Sequence, residues 1–138
     1  MPERVYTTPL LDKLGVKSGA RVALVGIDEQ WFRELLDGRT DDVTVGHPKP
    51  DTDLVFLGAD VPPQLEALAR LRGRIRPNGA IWVVSRKGRA ATLRDIDVID
   101  GALAAGLVDN KVVSFSETHT ALRLVVRLRD RSAAIRRA

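Results

Sequence analysis

Three short, continuously apolar runs govern what this chain can fold into: RVALV at 21–25, DLVFL at 53–57 and AIWVVS at 80–85. None alternates apolar with polar residues, so each reads as a strand covered on both faces, as in a parallel sheet between helices. The stretches between them carry a helical period. From Asp28 to Leu36 the pairs Trp31/Leu35 and Phe32/Leu36 stand four apart, with Asp28 placed to cap the helix and Gly38 to close it. Pro62 and Pro63 open a second helix through Leu65, Leu68, Ala69 and Leu71, ending near Pro77-Asn78-Gly79. Thr92 followed by Asp95 resembles a capping box, and Leu93, Ile96, Ile99 and Leu103 continue as a helical face up to Gly106. Thr8-Pro9 starts a short N-terminal helix over LLDKLGV.

Two regions break the alternation. Val43–Val45 is a strand candidate with only a Gly-His-Pro loop before DLVFL, too little chain for a helix. Near the C-terminus, 111–117 and 121–129 read as strands joined by a tight turn at Thr118–Thr120, a hairpin and not a crossover. In the last strand Leu122, Leu124, Val126 and Leu128 alternate with Arg123, Val125, Arg127 and Arg129. That pattern predicts one buried face and one basic, wet face, and it makes this strand a candidate sheet edge. The expected fold class is therefore three-layer α/β and Rossmann-like: about six strands, mostly parallel, with a C-terminal antiparallel hairpin. With no repeat or linker, a single domain is expected over 1–138, with 1–19 an N-terminal helix and lead-in and 130–138 a frayed basic tail.

Composition then narrows the chemistry. The 138 residues, 44% hydrophobic, suffice for one core. The absence of cysteine excludes disulfides, thiolate nucleophiles and iron–sulfur ligation, and with His47 and His119 as the only imidazoles no metal site is expected. No apolar run approaches the ~20 residues of a membrane span and no signal-peptide core is visible, so a cytoplasmic location without membrane association is expected. The formal charge is +4, and between Glu66 and Asp95 stand eight basic residues and no acid. Such a cluster is all that phosphate contacts need. Its members, however, fall at opposite ends of the expected strands: Arg70, Arg72, Arg74 and Arg76 towards the amino ends, Arg86, Lys87 and Arg89 at the carboxyl ends. The aromatic residues mostly sit in apolar segments and offer no stacking platform. Nucleic-acid binding is thus disfavoured against a protein partner or homo-oligomer.

Ligands of open parallel sheets bind beyond the carboxyl ends of the strands. The candidate crevice here comprises Gly26, Asp28, His47, Gly58, Asp60, Ser85, Arg86 and Lys87. The segment ALVGIDEQW (23–31) has the shape of a nucleotide cradle but a single glycine. Ile27 stands where backbone should approach a ligand, and Asp28 and Glu29 would repel phosphate from the helix N-terminus. His47 lies in a Pro-flanked loop without an identifiable partner for general-base work. Ser114, Ser116, Glu117 and His119 gather at the hairpin, but the sharp nucleophile turn of a serine hydrolase is missing, and polar residues at a strand end explain them better. No catalytic residue is expected.

The strand pattern with its terminal hairpin, and the Arg76-Pro77-Asn78-Gly79 turn before AIWVV, resemble class I methyltransferases trimmed by one βα unit. The resemblance implies a methyltransferase-like Rossmann sheet, and S-adenosylmethionine as the cofactor of such enzymes. The chain departs from the pattern in its glycine-poor first loop and in Gly46-His47, where an acid would hold the ribose hydroxyls. Asp60-Val61-Pro62-Pro63 only partly resembles the acid-Pro-Pro-aromatic motif of amino-methyltransferases, since Val61 interrupts it and Gln64 replaces the aromatic. TPLLDKLGVKSGARVALVG (8–26) and AGLVDNKVVSFSETHTALRLVVR (105–127) are similar to the ends of a bacterial family known only as a domain of unknown function, which supplies no functional residues. The expectation is a non-catalytic binding or interaction module without a cofactor. The alternatives are an S-adenosylmethionine-dependent enzyme and a weak nucleic-acid binder through the Arg-rich surface.

Overall fold

In the computed structural model, which describes residues 9–131, the apolar runs lie side by side in one six-stranded sheet. The elements in chain order are α1 (Leu10–Lys13), β1 (Val22–Val25), α2 (Gln30–Asp37), β2 (Val43–Val45) and β3 (Thr52–Gly58). A 3-10 turn (Pro62–Glu66), α3 (Ala67–Arg72), β4 (Ile75–Arg86), α4 (Asp95–Ala104), β5 (Leu107–Ser114) and β6 (His119–Val126) follow. The strand order is β2-β1-β3-β4-β6-β5; β1 pairs in parallel with β2 and β3, β3 in parallel with β4, and β6 antiparallel with β4 and β5. This is the expected mixed sheet, hairpin included.

The continuous apolar runs follow from burial on two sides. Along β1, Val22 and Leu24 face a cluster with Leu11, Leu14, Phe32, Leu36 and Phe56 beneath α1 and α2. Ala23 faces a second cluster with Val55, Leu68, Leu71, Ile81 and Val98 beneath α3 and α4. Trp82 is fully buried in the first cluster, and its indole N–H donates to the Leu14 carbonyl at 3.1 Å, tying the loop after α1 to the middle of the sheet.

Several local expectations are corrected. The turn expected at Arg76–Gly79 lies inside β4, where the register jumps from Thr52↔Ile75 to Leu54↔Ala80 and a Cβ on Gly79 would meet the Asp53 carbonyl oxygen at 2.8 Å. The fourth helix begins after Arg94, not Thr92: the Asp97 carboxylate accepts the Arg94 N–H at 3.0 Å, while the Thr92 hydroxyl donates to the Asp60 carbonyl. The last strand is not an edge. It runs between β4 and β5, so Ala121 and Val125 are buried as well as Leu122, Leu124 and Val126, and only Arg123 interrupts its second face. Leu128 lies beyond the strand and is exposed. The cap expected at Thr8 and most of the tail, 132–138, lie outside the described residues.

The missing βα unit leaves a visible mark. Parallel strands ordinarily need a crossover of about a dozen residues or more, yet β2 passes to β3 across β1 through residues 46–51 alone. This strap is pinned by Arg21, whose guanidinium donates to the Pro50 carbonyl at 2.7 Å and to the Asp42 carboxylate at 3.0 Å. Lys49 reaches the same carboxylate at 3.2 Å, and Pro48, within the strap, is buried. Asp42 is held below the usual carboxylate range by its hydrogen bonds from Arg21 and Lys49.

Candidate functional site

The strand order reverses between β1 and β3, which places the expected ligand crevice at the carboxyl tips of these two strands. There the chain turns at Gly26 with φ +73°, and a Cβ on Gly26 would sit 3.3 Å from the Gly58 carbonyl oxygen. A Cβ on Gly58 would collide outright with the Gly26 carbonyl, and the Ile27 side chain lies 3.4 Å from the same point. Glycine at these two positions thus serves to bring backbone against backbone.

Asp60, next along the same rim, acts as a staple between loops. Its backbone N–H donates to the Gln64 side-chain carbonyl at 2.6 Å, one Asp60 carboxylate oxygen accepts the Arg86 N–H at 3.2 Å, and its carbonyl accepts the Thr92 hydroxyl. Gln64 also accepts the Val61 N–H at 3.1 Å. The position where an aromatic would stack on a substrate is turned back on its own loop.

What remains at the tips is a cavity of about 110 Å³ lined by Gly26, Ile27, Glu29, Gly58, Asp60 and Gln64, with His119 at one side. Pockets for drug-sized ligands occupy about 300–1,000 Å³. The cavity at the tips is smaller than that range, and neither Gly46 nor the exposed His47 at the tip of β2 supplies an acid for a ribose.

The eight expected site residues therefore divide. Gly26, Gly58 and Asp60 meet at the small cavity, and Ser85 is buried within β4. Asp28 is exposed and does not cap α2: Glu29 occupies the N-cap position and makes no side-chain cap bond. His47 does not line the cavity at the tips. Arg86 and Lys87 line a separate, larger cavity of about 490 Å³, together with Arg89, Glu117, Thr118 and His119. Sequence reasoning left His119 at the hairpin. The antiparallel register Arg86↔His119 is what carries it to the rim.

The hairpin turn is self-satisfied. The Ser116 hydroxyl accepts the N–H groups of Thr118 and His119, and the Thr118 hydroxyl lies 2.8 Å from His119 Nδ1. These polar residues are committed to the turn, in line with their structural reading. Among the described residues no group of three or more His, Asp or Glu is arranged to hold a metal ion, and no helix is long and apolar enough to cross a membrane.

No protein-family model matches the chain, and no curated protein matches its sequence. Solved structures do match in fold. A proposed type 11 methyltransferase from Sulfolobus solfataricus aligns with a TM-score of 0.64 at 12% identity, over 92% of each chain. An S-adenosylmethionine-dependent methyltransferase from Aquifex aeolicus aligns at 0.59 and 18% identity, over 91% of this chain and 89% of that one. LepI, solved in complex with S-adenosylmethionine, aligns at 0.58 and 14% identity, over 89% of this chain but 48% of its own. The chain has the α/β methyltransferase-like fold. At these identities the likeness concerns the fold alone, and fold does not carry function.

Proposed function

We propose that this chain is a non-catalytic binding domain on a methyltransferase-like fold, one that does not use S-adenosylmethionine. The observation that carries the reading is the contact between Gly26 and Gly58, which packs backbone on backbone at the tips of β1 and β3, the end of the sheet where open α/β folds bind their ligands. The commitment of Gln64 and Asp60 to loop-holding bonds supports it, since both would have to be released for catalytic work. The competing reading, an S-adenosylmethionine-dependent methyltransferase, draws on the structural neighbours.

Titration calorimetry with S-adenosylmethionine and S-adenosylhomocysteine tests the choice. No saturable heat is expected, corresponding to a Kd weaker than about 1 mM. One-to-one uptake in the micromolar range would overturn the proposal and restore the enzyme reading.

A further inference from the structure

We propose that the cavity beside the end of β4 binds a small phosphate-bearing ligand through Arg86, Lys87 and Arg89. Its volume, about 490 Å³, lies in the range of small-molecule sites, unlike the remnant between β1 and β3. It opens at the carboxyl end of a sheet strand, the side on which open α/β sheets bind their ligands.

The charges make the case. Elsewhere in the described residues Arg21, Arg33, Arg39, Lys49, Arg76 and Arg94 each pair with an aspartate, while others such as Arg70, Arg74 and Arg123 form no ion pair and do not share a cavity with two further cations. Arg86, Lys87 and Arg89 converge on one cavity, and none of them forms an ion pair among the described residues. Among the described residues Glu117 is the only carboxylate lining the same cavity, which leaves a surplus of positive charge. Lys87 is half-buried, and its ammonium donates to a neutral partner, the Ser114 hydroxyl at 2.8 Å. Its backbone N–H is fixed to the Thr118 carbonyl at 3.0 Å. A cation held in position without a counter-charge, flanked by two exposed guanidinium groups, suits the several oxygens of a phosphate, which guanidinium binds with bidentate geometry.

The inference names a ligand class for the binding domain proposed above but stands on a different cavity. Uptake of S-adenosylmethionine would refute that reading and leave this one in place. Pyrophosphate, titrated calorimetrically into the whole protein at low and moderate salt, is the probe. Saturable one-to-one binding is expected, weakened about tenfold or more in the Arg86→Ala/Arg89→Ala double variant. Both side chains are exposed, so the variant should fold, and Arg86→Gln/Arg89→Gln provides a second version. The Arg70→Ala/Arg74→Ala variant removes the same charge from exposed positions outside this cavity and should bind as the parent does. Equal weakening in both double variants, or heat that never saturates, would reduce the site to diffuse charge and overturn the proposal. Far tighter binding of a single-stranded oligonucleotide, with a steep salt dependence carried by both sets of arginines, would overturn it in favour of a nucleic-acid surface.

Discussion

Replacing Gly58 by alanine tests the closure of the β1–β3 crevice directly. The added methyl would be driven into the Gly26 carbonyl oxygen and lie 3.0 Å from its carbonyl carbon. Both are backbone atoms, fixed by the pairing of Val25 with Leu57 one residue earlier, so no side chain can swing aside. Overpacking of this kind costs about 1–3 kcal/mol, and a rigid partner places the cost near the upper end. For a domain of this size that is a fall in Tm on the order of 5–10 °C. Gly38→Ala is the matched control: its Cβ would meet only the Leu35 carbonyl at an ordinary 3.5 Å, with helical backbone angles. Thermal unfolding of the two variants and the parent, in one buffer, gives the comparison. If Gly58→Ala melts with Gly38→Ala, the tips of β1 and β3 part without cost. The structural reason for excluding a cofactor there would then be gone.

Two further outcomes follow from the same packing. Trp82→Phe removes the donor that satisfies the buried Leu14 carbonyl, and should lose about 1–3 kcal/mol in urea unfolding; an unchanged midpoint would show that the indole bond contributes nothing. Asp42 and Asp97 are both held below the ordinary aspartate value of 3.8 by hydrogen bonds from basic partners: Arg21 with Lys49, and Arg94. Their folded pKa lies below the unfolded one, so the stability they add is complete above about pH 4 and lost as pH falls through the depressed value. Melting curves from neutral to strongly acidic pH should therefore lose part of their acid limb in Asp42→Asn and Asp97→Asn. An acid limb identical to the parent's in both variants would refute this.

Much of the fold was legible because burial on two faces leaves a plain signature: RVALV, DLVFL and AIWVVS are apolar apart from one terminal residue each, and they became β1, β3 and the second half of β4. The short Val43–Val45 strand and the terminal hairpin were legible too. The alternation in 121–129 misled, because Arg123 and the arginines after Val126 imitate a wet face although the strand is interior. Capping was misplaced by one residue at Asp28 and by two at Thr92, since a capping residue is chosen by where the helix axis must meet the sheet. The site was legible only as a rim. Whether Gly26 and Gly58 hold a ligand or hold each other depends on the separation of two strand tips, which residue identity does not encode. The convergence of Arg86, Lys87 and Arg89 with His119 depends on hairpin register, which no local spacing reveals.

The strap over β1 also bears on the order of folding. Because β2 returns to β3 without an intervening helix, Val22 meets Val43 and Leu54 across shorter stretches of chain than the one that separates Ala80 from Val125. Short closures cost less chain entropy and form faster. The three N-terminal strands are thus expected to assemble first, and the hairpin to dock onto a β4 edge that is already templated.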